Sequence, residues 1–298
     1  MDRRSLVIGA ASAALLAGCA SSAPPAGEGF TSERISVITR GSGPDIILIP
    51  GLTSHRDVWA PTAAALEGHY RFHIVQVDGF AGFPAGANSD GDVAAPVAEE
   101  ITRYINETHL TRPALIGHSM GGTIAMMIAA RHPDQVGRLM VVDMIPFMGA
   151  MFGPPGTTAE SVRGTADQIR NQMRSAPPGA AAPMIEQMIA GMTRTESARP
   201  ILVQQARDSD RNTVANAFHE LIVTDLRPEL GRITAPTTVL FVIPPNAPIT
   251  PAQYEAYTRL SFANIRQARL IKVEDSYHFI MIDQPARFQA EVATFMTR

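Results

Sequence analysis

The chain has 298 residues, 45% of them hydrophobic, with a formal net charge of −3, enough for one large domain or one domain carrying an insertion. No basic block runs through it, which argues against a nucleic-acid partner. The single cysteine, Cys19, rules out an intrachain disulfide, and no Cys/His cluster has zinc-ligand spacing, so neither metal nor cofactor is expected.

Residues 1–19 read as an address rather than as part of the fold. Arg3 and Arg4 give a basic start, and residues 5–17 are small and apolar, too short a run to stay as a membrane-spanning helix. Leu16-Ala17-Gly18-Cys19 resembles the lipobox of bacterial lipoproteins. That resemblance implies a signal peptide over residues 1–18 and a lipidated Cys19. Arg3-Arg4-Ser5-Leu6-Val7 also resembles a twin-arginine signal, which leaves both export routes open. Residues 19–32, rich in Ser, Ala, Pro and Gly, are expected to form a flexible tether. The expected location is the cell envelope, lipid-anchored. Ala20, where inner-membrane retention takes Asp in enterobacterial lipoproteins, favours the outer membrane, facing periplasm or surface.

From residue 33 strands and helices alternate, the pattern of a parallel sheet flanked by helices. Residues 34–39 alternate apolar and polar, as an edge strand does, and 45–50 are a β-branched run suited to a strand covered on both faces. Residues 57–67 read as a helix, 72–78 as a strand, and 93–108 as an amphipathic helix. Asp78 reads as a turn-stabilising carboxylate. The Gly-rich stretch 82–91 reads as a polar loop.

Ala114-Leu115-Ile116 is a short buried strand, and the Ala-rich run from Gly122 to Ala130 is a buried helix. Between them stands Gly117-His118-Ser119-Met120-Gly121. A strand that turns at once into a helix around a serine lifts the hydroxyl clear of the sheet, and it aims the first free N–H groups of the helix at a nascent oxyanion. With its extra Gly122, this motif resembles the nucleophile elbow of the α/β-hydrolase superfamily, a resemblance that extends from about residue 33 to the C-terminus.

The resemblance implies an α/β-hydrolase fold and places an oxyanion loop at Gly51-Leu52-Thr53-Ser54-His55, with Pro50 where relatives often carry His. The chemistry needs only backbone N–H groups, and Leu52 and Met120 are the candidate donors. His55, near the same mouth, is read either as a substrate contact or as a solvated loop histidine. Residues 138–143 form a sixth strand-like run, after which Pro and Gly clusters and six methionines mark a helical cap inserted at about 146–220. Those thioethers suit an adaptable pocket or a cap packed on its own domain. Residues 237–243 and 268–273 read as strands, and 250–261 and 285–296 as helices.

A serine hydroxyl needs a base, and His278, between the last strand and the last helix, stands where the superfamily keeps its histidine. The acid does not. The usual slot, in the loop after residues 237–243, holds Ala247. A methyl group cannot orient an imidazole. Asp143, at the end of the neighbouring strand, is the relocated candidate, as in some lipases and haloalkane dehalogenases. Asn246 as a neutral orienter, Glu274 or Asp275, and no acid at all stay open. The serine disfavours epoxide hydrolase and dehalogenase chemistry, which uses Asp at the elbow. Three functions follow: a carboxylesterase acting on a small-molecule acyl substrate; an amide, lactone or carbon–carbon bond hydrolase on the same residues; or a surface-tethered binding protein that has lost turnover.

Overall fold

The computed structural model describes residues 29–177, 179, 182–245, 247 and 249–297. The expected signal segment, Cys19 and Asn246 lie outside the described residues. Seven strands form one sheet: β1 (Ile35–Gly41), β2 (Asp45–Ile49), β3 (Arg71–Val77), β4 (Ala114–His118), β5 (Arg138–Val142), β6 (Thr237–Phe241) and β7 (Arg269–Lys272). Their spatial order is β1-β3-β2-β4-β5-β6-β7, with β1 antiparallel to β3 and every other pair parallel. This is the α/β-hydrolase architecture expected. The run at residues 138–143 is the fifth strand among the described residues, not the sixth, because four strands precede it.

The apolar runs of the central strands are buried on both faces. In β2, Ile47 and Ile49 join a core with α2 (Ala94–Glu107) and α3 (Met120–Arg131). Ile46 and Leu48 join the opposite core with α1 (Ala60–Leu66) and the C-terminal helix Pro285–Thr297. All four isoleucine and leucine side chains are at 0% exposure; each contributes about 1.5–3 kcal/mol by leaving water. With both faces closed, chemistry is left to the strand ends.

Within the stretch expected to be a tether, the described residues 30 and 31 contact the body. Phe30 packs edge-on against Tyr104 at 5.0 Å, the Arg103 guanidinium lies 4.4 Å above the Phe30 ring, and Arg103 also donates to the Thr31 carbonyl. An aromatic side chain within a Ser/Ala/Pro/Gly run has apolar area to bury, and Phe30 buries it here.

Four helices stand between β5 and β6: α4 (Ala159–Ser175), α5 (Ala182–Ala190), α6 (Arg199–Asp208) and α7 (Arg211–Val223). These helices, in the region expected to be a cap and called the cap below, pack in two lobes. One closes on Phe147, Val162, Ala166 and Ile222, from α4, α7 and the segment before α4. The other sends Ile189 of α5 and Leu202 of α6 into the sheet core beside Phe279 and Phe288. The cap methionines divide between the two readings given for them: Met148 and Met192 pack inward, whereas Met151, Met184 and Met188 are 67%, 65% and 44% exposed. Glu220 of α7 locks the cap to the body by accepting the Val93, Ala94 and Ala95 N–H groups at 2.7, 2.5 and 2.7 Å. Those are donors that the start of α2 would otherwise leave bare. Three more helices complete the chain: α8 (Pro251–Ser261), α9 (Ile280–Asp283) and α10 (Pro285–Thr297). Among the described residues no helix is long and apolar enough to cross a membrane.

Candidate active site

β4 ends at His118 and α3 begins at Met120, so Ser119 alone makes the corner. Its φ of 53° and ψ of −124° are strained for a side-chain-bearing residue, at a cost of about 1–3 kcal/mol that its surroundings must hold. Close approach does the holding. A Cβ on Gly117 would stand 2.0 Å from the Gly121 carbonyl oxygen, and one on Gly121 would stand 2.2 Å from the Ile49 carbonyl oxygen. Only glycine fits either flank. The Ser119 N–H donates to the Val142 carbonyl at 3.0 Å, which continues the β4–β5 ladder through the corner.

The same device recurs one strand over. Asp143 follows β5 with a φ of 49°, and its N–H donates to the Leu240 carbonyl of β6 at 2.8 Å. Its side chain spans two partners: Oδ1 accepts the Val242 N–H at 3.0 Å, and Oδ2 lies 2.6 Å from His278 Nδ1. A carboxylate facing Nδ1 makes that nitrogen the protonated one and leaves Nε2 with its lone pair. Among the described residues, neither Glu274 nor Asp275 is hydrogen-bonded to the ring, and Asn246 lies outside them. Ala247 sits in a turn closed by its own N–H on the Pro244 carbonyl at 3.1 Å. Glu274 is exposed and paired with Lys272 at 2.9 Å, and Asp275 is exposed. The charge of Asp143 is also felt by Tyr254 on α8. Burial first, and then that negative charge, raise the Tyr254 phenol above its ordinary range.

The loop after β2 lies directly over the serine. A Cβ on Gly51 would stand 3.0 Å from Ser119 Cβ, so the chain passes in contact with the nucleophile before reaching Leu52. The Leu52 N–H has no hydrogen-bond partner among the described residues. The Met120 N–H is the first of α3 and belongs to the four that a helix start leaves free. His55 is not a free loop residue. Its Nδ1 accepts the Asp57 N–H at 3.1 Å, capping a short 3₁₀ turn, and its own N–H donates to Gln205 of the cap at 3.1 Å. The Asp78 side chain does not hold its turn; Asn88 does, donating to the Asp78 and Arg34 carbonyls at 3.0 and 2.8 Å.

Asp143 and His278 are thus brought together, and Gly51 and Ser119 are in contact. No hydrogen bond joins the Ser119 hydroxyl to His278 among the described residues; such bonds commonly tighten only when substrate is bound. Sequence reasoning passed over His118. Its ring, 1% exposed, lies 4.5 Å from the His278 ring, and its Nε2 donates to the His278 carbonyl at 3.0 Å. Burial, followed by the neighbouring His278, holds His118 well below the usual histidine range, so it stays neutral. The signal was its place in the elbow motif, where a side chain behind the serine must point into the fold. Among the described residues no group of three or more His, Cys, Asp or Glu is placed to hold a metal ion.

Comparison with known proteins bears on the family and the fold. The model of the alpha/beta hydrolase family matches residues 46–291. A pimeloyl-[acyl-carrier protein] methyl ester esterase of Aeromonas salmonicida is 29% identical over 140 residues, covering 47% of this chain and 53% of that protein. The chain thus spans about half the length of that curated relative. Among solved structures, an esterase from Exiguobacterium antarcticum superimposes with a TM-score of 0.72 at 20% identity, covering 89% of this chain and 96% of that one. The enol-lactonase from Burkholderia xenovorans gives 0.71 at 19% identity, with 89% and 96% covered. At those identities the likeness is one of fold.

Proposed function

We propose that this chain, which belongs to the alpha/beta hydrolase family, cleaves carboxylic esters through an acyl-enzyme on Ser119. The observation that carries the reading is the 2.6 Å bond between Asp143 and His278. Ala247 in the usual acid slot favours a non-catalytic reading, and an imidazole already bonded to a carboxylate supports the catalytic one.

The reaction runs in two halves. His278 Nε2 takes the Ser119 proton as Oγ attacks the ester carbonyl carbon. The resulting oxyanion is held by the Leu52 and Met120 N–H groups, and Asp143 stabilises the imidazolium. Collapse breaks the bond to the alcohol, which leaves with the proton from His278. A water molecule, deprotonated by the same nitrogen, then attacks the acyl carbon and frees the acid and Ser119.

The place of this reaction is the cell envelope, with the domain tethered through a lipid on Cys19. The lipobox-like Leu16-Ala17-Gly18-Cys19, which contains the chain's one cysteine, supports that reading. Fluorophosphonate labelling tests the chemistry. Labelling lost in Ser119→Ala, with turnover of p-nitrophenyl esters lost alongside, is expected; an unlabelled wild-type protein overturns the proposal. A panel of esters, lactones and amides separates the bond types. Mass spectrometry of the mature N-terminus tests the anchor, and an unmodified start downstream of Cys19 overturns that part alone.

A further inference from the structure

The loop that carries His278 is tied to the cap as well as to the elbow. Directly after His278, the Phe279 N–H donates to the Met192 carbonyl of the cap at 3.1 Å. Five residues beyond the base, at the end of α9, Asp283 gathers the cap turn 193–195 around one carboxylate. Oδ1 accepts the Thr193 hydroxyl at 2.7 Å, the Thr195 N–H at 3.0 Å and the Thr195 hydroxyl at 2.9 Å. Oδ2 accepts the Arg194 N–H at 3.1 Å and the Tyr277 N–H at 2.9 Å. The last of these donors is the residue just before His278. Thr193 is fully buried, at 0% exposure, so the turn is a seat built for an acceptor rather than a chance surface contact. Burial alone would raise the Asp283 carboxyl. The Thr193 hydroxyl, the Tyr277 and Arg194 N–H groups and the Thr195 hydroxyl outweigh it and hold Asp283 below the usual carboxylate range.

We propose that Asp283 is a positioning residue: it fastens the base-carrying loop to the cap turn 193–195, so that seating the cap sets the place of His278. The proposal rests on the reading of His278 as the general base. Among the described residues Asp283 makes no hydrogen bond to Ser119 or to the His278 ring. It acts through the Tyr277 N–H, which fixes the backbone on one side of the base, while the Met192 carbonyl fixes the other side. Another bond between cap and body, from the His55 N–H to Gln205, ends on the loop that lies over Ser119. The lobe of α5 and α6 therefore grips both halves of the site.

Two sets of substitutions in the full-length chain test this. Asp283→Asn keeps the shape but turns an NH₂ group toward backbone donors. Its kcat on p-nitrophenyl butyrate should fall about ten- to a hundredfold, the scale of a base misplaced by about 1 Å, with KM little changed. Thr193→Val with Thr195→Val removes the hydroxyls from the cap side and leaves Asp283 intact. It should lower kcat in the same sense, fail to multiply with Asp283→Asn, and be rescued by Thr193→Ser with Thr195→Ser. Wild-type kcat in a folded Asp283→Asn protein, measured well below its melting temperature, overturns the proposal. If that variant does not fold, wild-type kcat in the folded Val pair does so instead. Failure of the underlying reading shows elsewhere: a wild-type protein that fluorophosphonate does not label, or an active Ser119→Ala, takes the base assignment and this proposal down together.

Discussion

The carboxylate of Asp143 and the ring of His278 meet at 2.6 Å across a separation of 135 residues, one from the end of β5 and the other from the loop beyond β7. Asp143→Asn keeps an acceptor for the Val242 N–H but presents NH₂ to Nδ1, which selects the wrong tautomer. Turnover of p-nitrophenyl esters should fall by about 10³–10⁴ with the fold intact. Adding Ala247→Asp to that variant should recover part of the loss. Turnover within a fewfold of wild type in folded Asp143→Asn would remove Asp143 from the mechanism.

Gly51 should tolerate no side chain without cost to catalysis. An alanine methyl there would press on Ser119 Cβ at 3.0 Å and on His118 Nδ1 at 3.1 Å. Gly51→Ala should destabilise by about 1–3 kcal/mol, as overpacking does. It should also lower kcat more than the loss of folded protein accounts for, by roughly tenfold or more. Thermal melts and active-site titration of the same sample separate the two effects.

His118 makes stability depend on pH. Its folded pKa lies well below its ordinary value of 6.5, through burial and then the adjacent His278. As pH falls below 6.5 the unfolded chain takes a proton that the folded protein refuses, so stability declines toward acid. His118→Gln retains a donor for the His278 carbonyl and cannot titrate. Denaturation midpoints between pH 7.5 and 5 should therefore fall less steeply in the variant. Equal slopes would mean that some other group carries the dependence.

Asp45 shifts in the same direction, downward, but over a more acidic window. It bonds Arg71 at 2.9 Å through Oδ2 and the buried His73 at 2.8 Å through Oδ1. Burial works to raise it, but the hydrogen bonds from His73 and Arg71 prevail, and its pKa falls from 3.8 to about 2. A depressed carboxyl pKa gives stability that is present above 3.8 and lost as pH drops through about 2. Asp45→Asn should be less stable than wild type at neutral pH, and the gap should close across that window in acid unfolding curves.

Much of this fold could be read from periodicity, because parallel strands buried on both faces must be written as apolar runs such as Ile46-Ile47-Leu48-Ile49. Ser119 was legible because its corner leaves no room beside it and forces glycine at 117 and 121. His278 was legible from its place between the last strand and last helix. What stayed hidden depends on contacts between distant segments. Nothing local in Asp143 says that its oxygen faces an imidazole rather than loop N–H groups, and in the structure it serves both. Asp283 reads as one more carboxylate before a proline-led helix until the turn at 193–195 is folded around it. Phe30 was masked by its neighbours: a count over the tether sees small residues, whereas packing depends on the one ring among them.

The β5–β6 register has a consequence for how such chains are recognised. Val142 stands beside Leu240, and the Asp143 N–H adds the next rung on the Leu240 carbonyl. The tips of these two strands stand a single strand spacing apart, and it is from the β5 tip that a carboxylate reaches the imidazole. On the function proposed above, a survey keyed only to the loop after β6 would class this chain as inactive.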